Sequence, residues 1–345
     1  MSEAARRLHV LKHSDSPEHT TPHLPKEGRT MPLSKYPLDA INALTPSQVD
    51  FLKALPKAEL HAHLNGSIPL RVLQQLAKEY VPPGTDSDST ISDIQSGIER
   101  LRDGVMLEDI HDFFTLFTAI YAITSTKAAL ARATEAVLAE FLDPIAGEEY
   151  PQATYLELRS TPRKTTAMTR LEYVETVLDQ VEKYRLDQAA LIVSVDRRMS
   201  KEVADECIEA AITLKNRGRR IVGVDICGHP NVSTSRTDSS GQRLILSQAG
   251  DMDHFKNHFF AVRAAGLGIT VHIAEVRTLS SCLREFVCSK RVSFQTIENT
   301  PEDTLKLLSF KPNRLGHATF LNDEARAIVI REKTPIEICL TSNFL

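Results

Sequence analysis

The sequence contains no Cys-x-x-Cys pair. Its five cysteines, Cys207, Cys227, Cys282, Cys288 and Cys339, are scattered, and nothing near Cys282 and Cys288 completes a metal set. An odd count of this kind fits a reduced chain rather than a disulfide framework. No apolar run approaches the roughly 18 residues of a membrane span. The first residues also lack the apolar core of a secretory signal. Arg6, Arg7 and Lys12 suggest a transit peptide, but Glu3 and Asp15 count against it. A marked charge excess is absent too, with 41 basic against 45 acidic residues and a net charge of −4. Without a basic surplus there is no reason to expect nucleic acid as a general ligand. These absences predict a cytoplasmic protein with a small-molecule partner and no membrane or nucleic-acid partner, and no surface stripe assigns an oligomeric state.

With 42% hydrophobic and 25% charged residues, the 345-residue chain has the composition of a globular protein with a sizeable core. Residues 1–45 read as a flexible leader, being punctuated by Pro17, Pro22, Pro25, Pro32 and Pro37 without helical or strand periodicity. A barrel domain is expected over 46–345. Thr45-Pro-Ser-Gln opens a short capped helix, a strand follows at 59–66, and Pro69–Tyr80 is amphipathic. Residues 84–97, rich in Ser, Asp, Thr and Gly, read as an exposed loop. Two helical patterns, 107–123 and 127–142, come next.

Strand and helix then alternate. Nearly apolar strands are expected at 154–162, 189–198, 220–228, 268–275, 314–321 and 336–343. Helices are expected at 170–183, 201–216, 253–265 and 322–332. That rhythm predicts a parallel sheet covered by helices, an α/β barrel of the (β/α)8 TIM type, incomplete, with seven strands found and an eighth absent. The interval 277–299 has no clear period and reads as an atypical insertion, more in keeping with a faulty gene model than with a surface loop.

Ionisable residues gather at the strand ends. His61 and His63 are two apart, so on a strand both imidazoles leave one face, and Asn65-Gly66 ends the strand beyond them. Two such nitrogens are half of a zinc site. His272 and Glu275 are three apart and would face opposite sides of a straight strand. The strand must therefore end near Ala274 and let Glu275 turn over the barrel mouth, beside a third nitrogen donor. His317 stands at another strand end. Asp225 reads as a hydrogen-bonding residue of the barrel core rather than a catalytic one, and Gly228 lets a ligand approach the backbone.

His61-Ala-His63-Leu-Asn-Gly, Gly223-Val-Asp-Ile-Cys-Gly228, Val271-His-Ile-Ala-Glu275, Arg314-Leu-Gly-His317 and Glu337-Ile-Cys-Leu-Thr-Ser-Asn343 follow one another in the order of the adenosine deaminase motifs. Over about residues 50–345 the chain resembles that family. Asn65, with Leu156-Glu-Leu-Arg-Ser-Thr-Pro-Arg163 and Val195-Asp-Arg-Arg198, is similar to its N(6)-methyl-AMP deaminase subgroup, which acts on the nucleoside monophosphate. The resemblance implies one zinc ion held by His61, His63 and His272, with Glu275 donating a proton to the purine ring and His317 orienting or deprotonating the attacking water. It further implies substrate contacts from His63, Asn65 and Gly228, and from Tyr121 on a capping helix. Arg159, Arg197 and Arg198 are candidates for a 5′-phosphate, since a guanidinium fork matches its oxygens, although each has a local carboxylate as an alternative partner. The His-x-Glu and Pro-Cys-x-x-Cys signature of the cytidine-type zinc deaminases does not occur.

The family's eighth strand carries a pair of aspartates, one a zinc ligand, and this sequence stops at Leu345 before it. The expectation is a fourth protein ligand missing, weak zinc binding and little turnover. Two other readings stay open on sequence alone: another amidohydrolase substrate, or a non-catalytic truncated product that retains a purine or metal pocket.

Overall fold

Side-chain caps start five of the helices in the computed structural model, which describes residue 39 and residues 42–81, 88–103, 110–144, 147–228, 235–237, 243–245, 255–275 and 301–339. Helix α1 (Pro46–Ala54) opens with Pro46 in its first turn and a reciprocal cap between Thr45 and Gln48. Strand β1 (Ala58–His63) follows and passes into a single turn, α2 (Leu64–Ser67). Four further helices among the described residues come before the sheet resumes, the first three being α3 (Leu70–Glu79), α4 (Asp88–Asp103) and α5 (Ile110–Ile123). Helix α6 (Lys127–Leu142), capped by Thr126, leads to β2 (Tyr155–Ser160).

The alternation is then regular. Helix α7 (Arg170–Val181), with a Thr169–Glu172 capping box, β3 (Ala189–Asp196), α8 (Lys201–Asn216), capped by Ser200, and β4 (Ile221–Cys227) succeed one another. A small antiparallel hairpin, β5 (Ser235–Thr237) and β6 (Arg243–Ile245), precedes α9 (Lys256–Ala264) and β7 (Gly268–Ile273). The described chain closes with α10 (Pro301–Ser309), β8 (Arg314–His317), α11 (Asp323–Glu332), capped by Asn322, and β9 (Ile336–Glu337).

Seven strands form one sheet in the order β1-β2-β3-β4-β7-β8-β9, and every pairing is parallel. Sequential parallel strands with helical crossovers curl the sheet into a nearly closed TIM-type barrel, the architecture expected from the sequence. Strands covered on both faces lose their alternation, and β3 is buried from Ala189 through Val195.

The segment 84–97, expected to be an exposed loop, is largely helical. Helix α4 buries Ile94, Ile98 and Leu101 at helical spacing. It packs on α5 where Gly97 comes so close to Ala119 that an added Cβ would lie 2.6 Å from the alanine Cβ. Polar residues on its outer face mask the period. Helix α10 and the β5/β6 hairpin were not anticipated either. The expected leader, apart from its last few residues, the interval 277–299 and the end of the last strand at 340–343 lie outside the described residues.

Candidate active site

Strand register brings the histidines to one end of the barrel. His63 pairs with Arg159, His272 with Gly316, Ile273 with His317, and Gly316 with Glu337. His63 serves as the N-cap of α2 but makes no capping bond with its side chain. Strand β7 ends at Ile273, and Ala274 takes φ 50°, in the left-handed region that L residues seldom occupy. His317 and Ala318 do the same at φ 63° and 51°. Backbone strain at these two strand ends turns Glu275 and His317 towards each other, with Oε1 3.5 Å from Nε2.

The four rings cluster closely, edge-on or tilted to one another. His61 lies 5.2 Å from His63, 4.6 Å from His272 and 4.8 Å from His317 between centroids. Gly316 makes room for this, since a Cβ there would lie 2.6 Å from Cε1 of His61. Burial, followed by the positive field of the neighbouring rings and Arg159, pushes His61 well below the ordinary imidazole range. Burial likewise lowers His272 far, and lowers His63 and His317 to about 4. All four are neutral at pH 7 and offer lone pairs.

Donor atoms of His61, His63 and His272 lie within 4.8 Å of one another, and Nε2 of His63 is 2.9 Å from Nε2 of His272. The outer nitrogens are already committed. His61 Nδ1 meets Glu337 Oε2 at 2.8 Å, and His272 Nδ1 meets Asp225 Oδ1 at 2.9 Å and the Ile226 carbonyl at 3.1 Å. A ring that donates through Nδ1 presents a bare Nε2 to the site. This carboxylate-backed arrangement is the one metal-ligating histidines use, so the residues fit a zinc ion. His61, His317 and Cys339 form a second close group. Burial raises the Cys339 thiol to about 12, so without a metal it stays protonated, whereas the three-histidine group presents neutral nitrogens.

Among the described residues, Glu275 is the carboxyl that faces this group from the rim. Burial raises it to about 7, against an opposing pull from Arg197. It therefore holds a proton near neutrality, as a general acid must. Asp225 is fully buried, bonding Ser194 and Arg159 as well as His272, which is the core role expected of it.

The arginines divide. Arg159 is not at the rim: it is wholly buried, donating to the Leu60 carbonyl, Asp225 and Glu337 inside the barrel, and no phosphate reaches it. The reason is strand parity, because Arg159 lies between the buried Leu158 and Ser160 on the inward row shared with Glu157. Arg197 is buried, with Nη2 donating to the His272 carbonyl at 2.9 Å. Arg198 forks onto Asp196 and remains 45% exposed. Asn65 is buried in the α2 turn. Gly228 takes φ 131°, and a Cβ there would lie 2.8 Å from Asp196 Oδ1. Tyr121, half-buried on α5, lies beneath the Arg163 guanidinium, 3.1 Å from ring centroid to Cζ. Arg163 and Glu337 were not singled out from the sequence. A charged residue between Ile336 and Ile338 was the available signal for Glu337.

Comparison with known proteins gives the same direction. The profile of the adenosine deaminase family matches residues 56–288. A human N6-methyl-AMP deaminase is 29% identical over 312 residues, covering 86% of this chain and 72% of the relative. An Arabidopsis N6-mAMP deaminase is 28% identical over 324 residues, covering 86% and 76%. Among solved structures, Arabidopsis ADAL complexed with IMP superposes with a TM-score of 0.60 at 27% identity, over 85% of this chain and 74% of that one. The profile spans well over half of the 345 residues, and the chain therefore belongs to the adenosine deaminase family, hydrolases that act on carbon–nitrogen bonds.

Proposed function

We propose that this chain is a zinc-dependent deaminase acting at carbon six of an adenine nucleoside monophosphate, AMP or N(6)-methyl-AMP, with IMP as product. The observation that carries the proposal is a cluster of three neutral imidazoles within 4.8 Å, faced by a carboxyl that burial raises to about 7 and by a fourth neutral imidazole. Relatives named N6-methyl-AMP deaminase and a neighbouring structure complexed with IMP support a nucleotide substrate.

His61, His63 and His272 would hold the zinc ion, which would supply a Lewis acid able to bring proton loss from water close to neutral pH. His317 is uncharged above about pH 4 and accepts the proton of the attacking water. Glu275 donates its proton to the ring nitrogen beside carbon six, neutralising the charge that develops there as oxygen adds. The imidazolium of His317 then protonates the exocyclic nitrogen. That nitrogen leaves as ammonia or methylamine, the hydroxyl proton on carbon six passes to the Glu275 carboxylate and restores the acid, and the 6-oxopurine remains. Asn65 and the Gly228 backbone contact the nucleoside, and Tyr121 covers it. Arg198 is the best placed of the three candidate arginines for the phosphate, because its guanidinium alone is substantially exposed.

The test is amine release from AMP, N(6)-methyl-AMP and adenosine by the zinc-loaded protein. Release from a nucleotide in preference to adenosine supports the proposal. Release from adenosine alone makes the chain a nucleoside deaminase, and release from none of the three overturns the reading.

A further inference from the structure

Arg159 stands at a junction that phosphate binding does not explain. Its guanidinium has no exposure to solvent, and each of its nitrogens is engaged. Nε and Nη2 donate to the Leu60 carbonyl at 3.1 and 2.7 Å, Nη2 also donates to Glu337 Oε2, and Nη1 donates to Asp225 Oδ1 at 3.3 Å. All three acceptors lead to a histidine of the proposed metal site. Leu60 immediately precedes His61 in β1. Glu337 Oε2, the oxygen that Arg159 holds, is also the one that meets His61 Nδ1 at 2.8 Å. Asp225 Oδ1, again the oxygen that Arg159 holds, meets His272 Nδ1 at 2.9 Å.

We infer that Arg159 is a positioning residue, one planar cation that fixes two buried carboxylates so that His61 and His272 both donate through Nδ1 and turn Nε2 to the same point. The inference rests on the reading of His61, His63 and His272 as a zinc site. Charge alone does not accomplish this. Arg314 also reaches Glu337, with Nε 3.0 Å from Oε1, but it bonds the oxygen that His61 does not use and is not bonded to Asp225. The guanidinium fork spans both acid groups at once, in a fixed plane, whereas an ammonium is a point charge. The remaining bonds hold the two carboxylates from behind, Thr270 Oγ1 on Glu337 Oε1 at 3.2 Å and Ser194 Oγ on Asp225 Oδ2 at 2.9 Å. The carboxylate oxygens facing the histidines are thereby left to Arg159.

The test combines two readouts on the full chain. In the metal-free parent, nitrogen–proton correlation spectra report which ring nitrogen of each histidine carries the proton. His61 and His272 are expected as Nδ1–H tautomers, and Nε2–H tautomers for both would overturn the inference without any variant being made. In Arg159→Lys, which keeps the charge and loses the fork, zinc affinity measured by chelator competition is expected to fall about ten- to a hundredfold, the usual cost of losing an outer-shell partner. The metal-free variant should still melt cooperatively, and the two Nδ1–H signals should be lost or exchange-broadened. A variant with the parent's zinc affinity and both signals overturns the inference, because charge would then suffice. A parent with the expected tautomers but no zinc binding sinks the zinc reading and with it this role, whereas a zinc-binding parent with the opposite tautomers sinks this role alone.

Discussion

Glu337 on the seventh strand meets His61 on the first across 276 residues of sequence, with Oε2 2.8 Å from Nδ1. The two strands are the ends of the sheet order, and no backbone pairing joins them among the described residues. Side chains bridge the gap instead, and the bridge also sets which nitrogen of His61 faces the site. One contact thus ties the curl of the barrel to the chemistry at its mouth.

Glu275→Gln removes the carboxyl that burial raises to about 7 beside His317. Turnover is expected to drop by about 10²–10⁴, the range for loss of a general acid. Zinc content should not change, since Glu275 is not among the three grouped donors. Single-turnover rates and metal analysis on the same preparation check both halves.

The pH dependence follows from two shifts of opposite sign. Glu275 is raised from 4.5 to about 7, so the folded chain keeps a proton that the unfolded chain releases. Its contribution to stability is fully present below about 4.5 and is lost as the pH rises through about 7. His317 is lowered from 6.5 to about 4, so its contribution is present above about 6.5 and is lost as the pH falls through about 4. Since the reaction needs Glu275 protonated and His317 neutral, kcat/KM should be bell-shaped, with His317 setting the acid limb and Glu275 the alkaline one. A profile still rising in mildly alkaline buffer would contradict the assignment. Glu275→Gln should also melt above the parent in that buffer, because no buried carboxylate then has to ionise.

Gly316→Ala places a methyl carbon 2.6 Å from Cε1 of His61, against a ring pinned by Glu337. Overpacking of this kind costs about 1–3 kcal/mol. Chemical denaturation of the metal-free protein should show that loss, and chelator competition should show weaker zinc binding as His61 is displaced.

Leu101→Ala tests the packing of α4 independently of the site. Leu101 is 1% exposed, and a buried Leu→Ala change costs about 2–5 kcal/mol, whereas in an exposed loop the same change would be nearly neutral. Equilibrium unfolding separates the two.

The histidines and Glu275 were legible because each stands at a strand end in a short pattern that local geometry interprets. The turn at Ala274 could be anticipated from the three-residue spacing of His272 and Glu275 alone. Arg159 was misplaced for a different reason. Its partners lie 66 and 178 residues away, so whether it faced the rim or the interior depended on barrel register rather than on neighbouring residues. The parity of β2, with Leu156 and Leu158 set against Glu157 and Arg159, held the answer. Helix α4 stayed hidden because Ile94, Ile98 and Leu101 are its apolar stripe within a Ser- and Asp-rich segment, and Gly97, a helix weakener by propensity, serves there as a contact point with α5.

The most direct measurement of the central claim is the fate of solvent oxygen. The zinc-loaded chain is incubated with N(6)-methyl-AMP in heavy-oxygen water, with and without a chelator, and the purine product is weighed by mass spectrometry. Zinc-dependent hydrolysis should give IMP carrying the heavy oxygen at carbon six, formed with the chelator absent and abolished by it. Unlabelled product, or labelled product formed equally well after the metal is stripped, would contradict a zinc-dependent hydrolytic deaminase.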